Sequence, residues 1–132
     1  MAKEYNSIVV EGCGGLAVPL SGEGYMQYQL IKELDIGCIL VSRTTLGTIN
    51  HTLLTLSFAE KSGISVQGVI FNGFSGTGVE QDNIDTIQRL SGVPVLGVIP
   101  RIEGIDVENQ HFGELRTVFE RTIHIEEMVA NV

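Results

Sequence analysis

The residues best suited to chemistry run from Leu46 to Thr55, Leu-Gly-Thr-Ile-Asn-His-Thr-Leu-Leu-Thr, directly after the apolar run Ile36–Ser42. A buried strand that ends in a short polar loop and reopens as a helix at Gly47 and Thr48 turns free backbone N–H groups toward whatever lies above the sheet. Such an end attracts anions, which makes Gly47, Thr48, Ile49 and Asn50 a candidate anion-binding turn. The same spacing also fits Asn50 and His51 as polar residues on a solvated helix face.

Two other places carry candidate ligands. Glu11 closes the apolar run from Ser7 and is followed by Gly12, Cys13, Gly14 and Gly15. A carboxylate there suits a hard cation such as Mg²⁺, which takes oxygen ligands, or it caps nearby loop amides. The glycines permit positive φ and close backbone approach, as a ligand-facing loop or a plain tight turn requires. Asn72 ends the run Val66–Phe71; its amide can pair donor with acceptor on a base edge, or make an Asx turn. No Ser-His-Asp or Cys-His nucleophile set is present, so no catalytic residue is assigned. His51 reads as packing or capping, and His111 and His124 stand without a metal partner. The two cysteines fit no metal-binding spacing; Cys38 reads as core and Cys13 as a small loop residue.

Elements that would position these residues alternate along the chain. Ser7–Glu11, Ile36–Ser42, Val66–Phe71 and Val93–Ile99 read as strands, rich enough in Val, Ile and Leu to be covered on both faces. Between them, Tyr25, Tyr28, Ile31 and Leu34 recur at helix spacing, as do Ile49, Leu53, Leu56 and Ala59, and then Ile84, Ile87 and Leu90. Ser62-Gly63 and Ser91-Gly92 read as glycine stops. Pro100 closes the fourth strand. Leu115, Val118, Phe119 and Thr122 suggest a last helix, and the Ile125–Val132 tail docks or is disordered. Alternation of this kind implies a parallel sheet of about four strands with flanking helices, an α/β fold in one domain over residues 1–132, its final stretch 112–132 least defined. Ligands in such sheets collect beyond the carboxyl ends of strands, where Glu11, Arg43–Gly47, Asn72 and Pro100 all fall.

Composition excludes several classes. The chain has 132 residues, 43% of them hydrophobic, enough for one domain with a core. Its net charge of −8 argues against a nucleic-acid surface, which needs clustered Lys and Arg. No apolar run approaches the roughly 20 residues of a membrane span, and no charged-then-apolar leader opens the sequence. A cytoplasmic protein is expected.

Taken together, Val10–Leu20 with Glu-Gly-x-Gly-Gly, Leu46–Thr55 with Leu-Gly-x-Ile-Asn-His, and Gly68–Asn72 resemble the C-terminal half of dethiobiotin synthetase, from about Ile8 to Pro100 and in that family's order. The resemblance implies part of a P-loop NTPase-like fold and an ATP- and Mg²⁺-dependent ligase that closes the ureido ring of dethiobiotin. It implies that Glu11 serves the metal and nucleotide phosphates, that Gly12, Cys13, Gly14 and Gly15 lie against the diamino acid substrate, and that Gly47, Thr48, Ile49 and Asn50 hold its distal carboxylate across a homodimer interface. By the same resemblance Asn72 reads the adenine edge, with further nucleotide contacts after it at Pro100, Arg101 and Ile102; Glu103, Asp106 and Glu108 are candidates for an acidic contact.

The sequence carries no Gly-x-x-x-x-Gly-Lys-Thr phosphate loop, and Lys3, Lys32 and Lys61 do not match the family's lysines. The chain therefore reads as half an enzyme: a natural split subunit working with a separate phosphate-loop polypeptide, a degenerate relative, or a cloned piece. A non-catalytic binding module and a dimerisation domain are the alternatives. In the family the phosphate-loop strand lies between the strands matching Ser7–Glu11 and Ile36–Ser42, so these two are expected either to pair directly or to recruit another chain, giving a homo-oligomer.

Overall fold

A computed structural model describes residues 8–12 and 14–123. Its elements are α1 (Gln27–Leu34), β1 (Cys38–Arg43), α2 (Thr48–Lys61), β2 (Val66–Phe74), α3 (Gly78–Ser91), β3 (Val95–Pro100) and α4 (Leu115–Thr122). The three strands form one parallel sheet in the order β1-β2-β3. Parallel neighbours need crossovers, and α2 and α3 supply them.

Helix boundaries follow from local chemistry. Gly47 starts α2 in a left-handed conformation, φ +89°, which a side chain would resist. The same helix stops at Ser62, with Gly63 at φ +71° behind it. Thr77 and Glu80 form a reciprocal capping box at the start of α3, and Gly92 ends that helix at φ +67°. Ahead of α1, Leu16–Met26 folds back on itself, with Pro19 bridged to Met26 and the N–H of Tyr28 donating to the Leu16 carbonyl.

Both faces of the sheet are covered. On one, Val69 and Phe71 pack with Leu56 of α2 and with Ile84 and Ile87 of α3. On the other, Ile70, Leu96 and Ile99 pack with Val118 of α4 and with Ile123. Alternate residues of β2 thus serve opposite layers, as the two-residue period of a strand dictates. Tyr28 of α1 meets Phe58 of α2 edge to face, ring centres 5.3 Å apart.

The α/β class with a parallel sheet stands, with three strands among the described residues. Ser7 lies outside the described residues, and Ile8–Glu11 form no strand and are exposed. Nor does this segment pair with β1, whose outer edge is unpaired among the described residues. An apolar pattern forms a strand only where the segment pairs with a hydrogen-bonding ladder, and Ile8–Glu11 pair with none among the described residues. The remaining strands begin or end a few residues from their expected limits: β1 starts at Cys38, β2 runs on to Phe74, and β3 spans Val95–Pro100. Tyr25 precedes its helix rather than belonging to it. The expected last helix is α4, and the Ile125–Val132 tail lies outside the described residues.

Gly97 lets β3 approach α4. A Cβ placed there would clash with the Ile123 side chain and lie 2.6 Å from the Thr122 carbonyl oxygen. Backbone cannot yield as a flexible side chain can, so Gly97→Ala is expected to cost about 1–3 kcal/mol. Gly78→Ala, at a helix start with nothing near its Cβ position and no positive φ, should gain about 0.4–1 kcal/mol. Urea denaturation of both variants checks the pair.

Candidate functional site

Strand register brings three chain segments to one edge. Arg43 of β1 lies opposite Asn72 of β2, Asn72 lies opposite Ile99 of β3, and Phe74 lies opposite Pro100. Beyond Arg43 comes the turn Thr44–Gly47; beyond Asn72 comes Gly73–Thr77, which carries the end of β2 into the loop before α3; and beyond Pro100 comes the segment from Arg101, whose N–H donates to the Phe74 carbonyl at 2.9 Å. Gly47, Thr48, Ile49, Asn50, Asn72, Pro100, Arg101 and Ile102 therefore gather at the carboxyl edge of the sheet. Glu11, Gly12, Gly14 and Gly15 lie outside the sheet, in irregular chain, and Cys13 lies outside the described residues. Gly12 packs so closely on the buried Gln27 side chain that a Cβ would lie 2.7 Å from its Cδ, and Gly14 holds φ +78°. Gly15 has neither constraint.

At the start of α2 the two faces of the turn do different things. Thr48 is buried: its hydroxyl donates to the Arg43 carbonyl and lies among the hydroxyls of Ser42 and Thr52. The Thr48 N–H donates to the Thr45 carbonyl at 3.1 Å. Ile49 directs its side chain into the core packed around Leu56 and Phe71. What remains available is backbone. The N–H groups of Ile49 and Asn50 have no hydrogen-bond partner among the described residues, and Asn50 is exposed. Leu46 beside them is fully exposed, at 101%.

Glu80 joins this turn to the loop after β2. One carboxylate oxygen, Oε1, accepts from the Thr44 hydroxyl at 2.7 Å; Oε2 accepts from the Ser75 N–H at 3.0 Å and from the N–H and hydroxyl of Thr77. Thr44 is wholly buried, and its carbonyl accepts from Asn83 Nδ2 at 2.8 Å. Hydrogen bonds from Thr44 above all, then from Thr77 and Ser75, hold the Glu80 carboxyl below its usual range and outweigh the opposing effect of burial. Inspection of the sequence overlooks this group, although Thr77-x-x-Glu80 is a legible capping-box signal; nothing local marks Thr44 as its partner.

Asn72 is exposed and its carboxamide makes no hydrogen bond to a described residue, leaving both its donor and its acceptor free. His51 is exposed on α2, and His111 makes backbone hydrogen bonds to Asp106. Asp106 turns back on Asn109, whose side chain and N–H lower its pKa, while Glu103 and Glu108 are exposed. Cys38, half-buried in β1, has its thiol pKa raised by burial. Among the described residues no cluster of three or more His, Cys, Asp or Glu side chains could hold a metal ion. Glu11 is an exposed carboxylate, of the oxygen-donor type that Mg²⁺ takes alongside phosphate oxygens and water.

A family model described as AAA domain matches residues 1–109. The chain belongs to this AAA domain family. It is similar to ATP-dependent dethiobiotin synthetase BioD of Bacillus cereus strain G9842, with 48% identity over 106 residues, 79% of this chain and 43% of that protein. The enzyme of the same name from Caldicellulosiruptor bescii is 44% identical over 117 residues, 85% of this chain and 48% of its own length. That of Bacillus licheniformis is 50% identical over 101 residues, covering 75% and 43% respectively. The chain spans about half the length of the curated relatives it matches. No helix among the described residues is long and apolar enough to cross a membrane.

The Glu80 contacts predict a pH dependence of stability. Because its folded pKa lies below the ordinary carboxylate value of 4.5, its contribution is complete above that value and is lost as pH falls through the depressed folded pKa. Denaturation of the wild type and Glu80→Gln should show a stability difference at pH 7 that narrows steadily below about pH 4. A difference that stays constant down to pH 2 contradicts the assignment.

Proposed function

We propose that this sheet edge is the substrate- and adenine-contacting part of a dethiobiotin synthetase. The observation that carries the reading is the pair of unpartnered N–H groups at Ile49 and Asn50, in a turn matching the Leu-Gly-x-Ile-Asn-His motif of the resembled family. Relatives named as ATP-dependent dethiobiotin synthetase, 44–50% identical, support it.

The substrate on this reading is 7,8-diaminononanoate. Its distal carboxylate accepts from the Ile49 and Asn50 N–H groups at the positive end of α2, an arrangement favoured by about 0.3–1 kcal/mol per charge at an exposed helix end. The hydroxyls of half-buried Ser42 and buried Thr48 and Thr52 do not touch it; they fix the first turn of the helix. Gly12, Cys13, Gly14 and Gly15 contribute the loop that lies against the diamino end. Asn72 pairs with the adenine edge of ATP, and Pro100, Arg101 and Ile102 border it. One substrate amine takes up CO₂ as a carbamate, ATP phosphorylates that carbamate with release of ADP, and the second amine closes the ring with loss of phosphate. Such chemistry relies on positioning and charge neutralisation. Glu11 is the one carboxylate assigned to the metal, and no step is attributed to it.

The site on this reading is shared between two copies of the chain in a cytoplasmic homodimer. Phosphate contacts come from residues outside this sequence, so the 132-residue polypeptide binds ligands without turning over. Isothermal titration separates the two halves of the site. Asn50→Asp places a repelling charge where a helix start tolerates acids, and should weaken 7,8-diaminononanoate by roughly 1–3 kcal/mol while sparing ATP. Asn72→Ala should do the reverse, weakening ATP by roughly 0.5–1.5 kcal/mol. Equal effects on both ligands, or no binding at millimolar concentration, would overturn the reading. Dethiobiotin formation by the purified chain would overturn the need for further phosphate contacts.

A further inference from the structure

The turn that carries the Ile49 and Asn50 amides is held to the rest of the protein at few points. Between β1 and α2, Thr45 and Leu46 are exposed, and Gly47 is exposed at positive φ. Thr44 alone in that turn is buried, with 0% exposure. Two of its polar groups are gripped by α3, the hydroxyl by Glu80 and the carbonyl by Asn83. On the other side, the loop that follows Asn72 contains two glycines at positive φ, Gly73 and Gly76, and would be mobile on composition alone. Phe74 is tied to the neighbouring strand, its carbonyl accepting from the Arg101 N–H; beyond it, the N–H of Ser75 and the N–H and hydroxyl of Thr77 all point to the same carboxylate.

A carboxylate has about four acceptor positions. Here four donors reach it, the Thr44 hydroxyl on Oε1 and the Ser75 N–H and the N–H and hydroxyl of Thr77 on Oε2. With 5% exposure, the acid is turned to these contacts rather than to solvent. Its geometry joins two loops that leave adjacent strands, one toward each half of the proposed site.

We infer that Glu80 is a positioning residue that couples the anion-binding turn at Leu46–Asn50 to the adenine-side loop at Gly73–Thr77, with Thr44 as its contact on the first loop and Asn83 as a second brace. The inference rests on the reading of this edge as the substrate and nucleotide site. If the bridge is cut, both loops sample conformations that do not bind, and apparent affinity for each ligand falls in proportion to the competent fraction.

Thr44→Val tests this with the least disturbance, since it keeps the side-chain shape and removes only the hydroxyl. Titration of the full chain with 7,8-diaminononanoate and with ATP should show both dissociation constants rising about ten-fold, as a competent fraction of about one tenth dictates. Glu80→Ala should do at least as much. Thr44→Ser, which keeps the donor, should restore both. Val118→Ala, in the α4 layer across the sheet, lowers stability without touching either loop and should leave both constants unchanged. In ¹H–¹⁵N spectra, Thr44→Val should move the amide signals of Leu46–Asn50 and Gly73–Thr77 together, whereas Val118→Ala should move neither set. Unchanged dissociation constants, or signals that move in only one loop, would overturn the coupling. If the wild type binds neither ligand, the functional reading fails, and the amide signals decide the coupling by the same criterion.

Discussion

The Glu80 carboxylate accepts hydrogen bonds from Thr44, Ser75 and Thr77, and so fixes two loops that the sheet alone leaves free. Strand register settles where β1 and β2 end, because Arg43 faces Asn72 in the ladder. It does not settle where the chain goes next. Beyond the strands, positive-φ glycines at positions 47 and 76 allow many paths, and a buried acid on α3 selects one for each loop. The capping box at Thr77 holds Glu80 in turn, since the Glu80 N–H donates to the Thr77 hydroxyl while the carboxylate accepts from it. One short motif thus begins a helix and shapes an edge of the sheet.

The start of α2 shows how the same turn serves packing and exposure at once. Thr48 and Ile49 face inward, one into a set of hydroxyls and the other into the apolar layer around Leu56. Asn50 and Leu46 face outward. A helix start with its side chains so divided offers backbone N–H groups rather than side chains to a ligand, and those of Ile49 and Asn50 are the ones not used within the chain. Carboxylate recognition of this kind needs no lysine or arginine, in keeping with a chain of net charge −8.

Much of this fold is legible in the sequence because its signals are local. The glycine stops at Gly63 and Gly92, the helix periodicity of Ile84 and Ile87, and the apolar core of β2 all depend on a few neighbouring residues. The segment Ser7–Glu11 reads as a strand on the same apolar pattern, yet strand formation depends on a partner that pattern does not encode, and its described part, Ile8–Glu11, lies exposed. Candidate residues at the ends of β1, β2 and β3 are legible as a group, since parallel strands place their carboxyl ends together. Which atoms of those residues are free is not legible. The Thr48 hydroxyl donates to the Arg43 carbonyl, while Thr44, with no motif to mark it, meets an acid 36 positions along the chain.

The claim that the carboxyl edge of the sheet is the binding site is tested most directly by hydrogen–deuterium exchange of the full chain, with and without saturating 7,8-diaminononanoate and ATP. Slowed exchange is expected at residues 45–51 with the diamino acid and at residues 72–77 and 100–104 with the nucleotide. Slowed exchange confined to α4, or at the opposite end of the sheet where Leu53, Leu90 and Val93 line an open cavity of about 410 Å³, would contradict it.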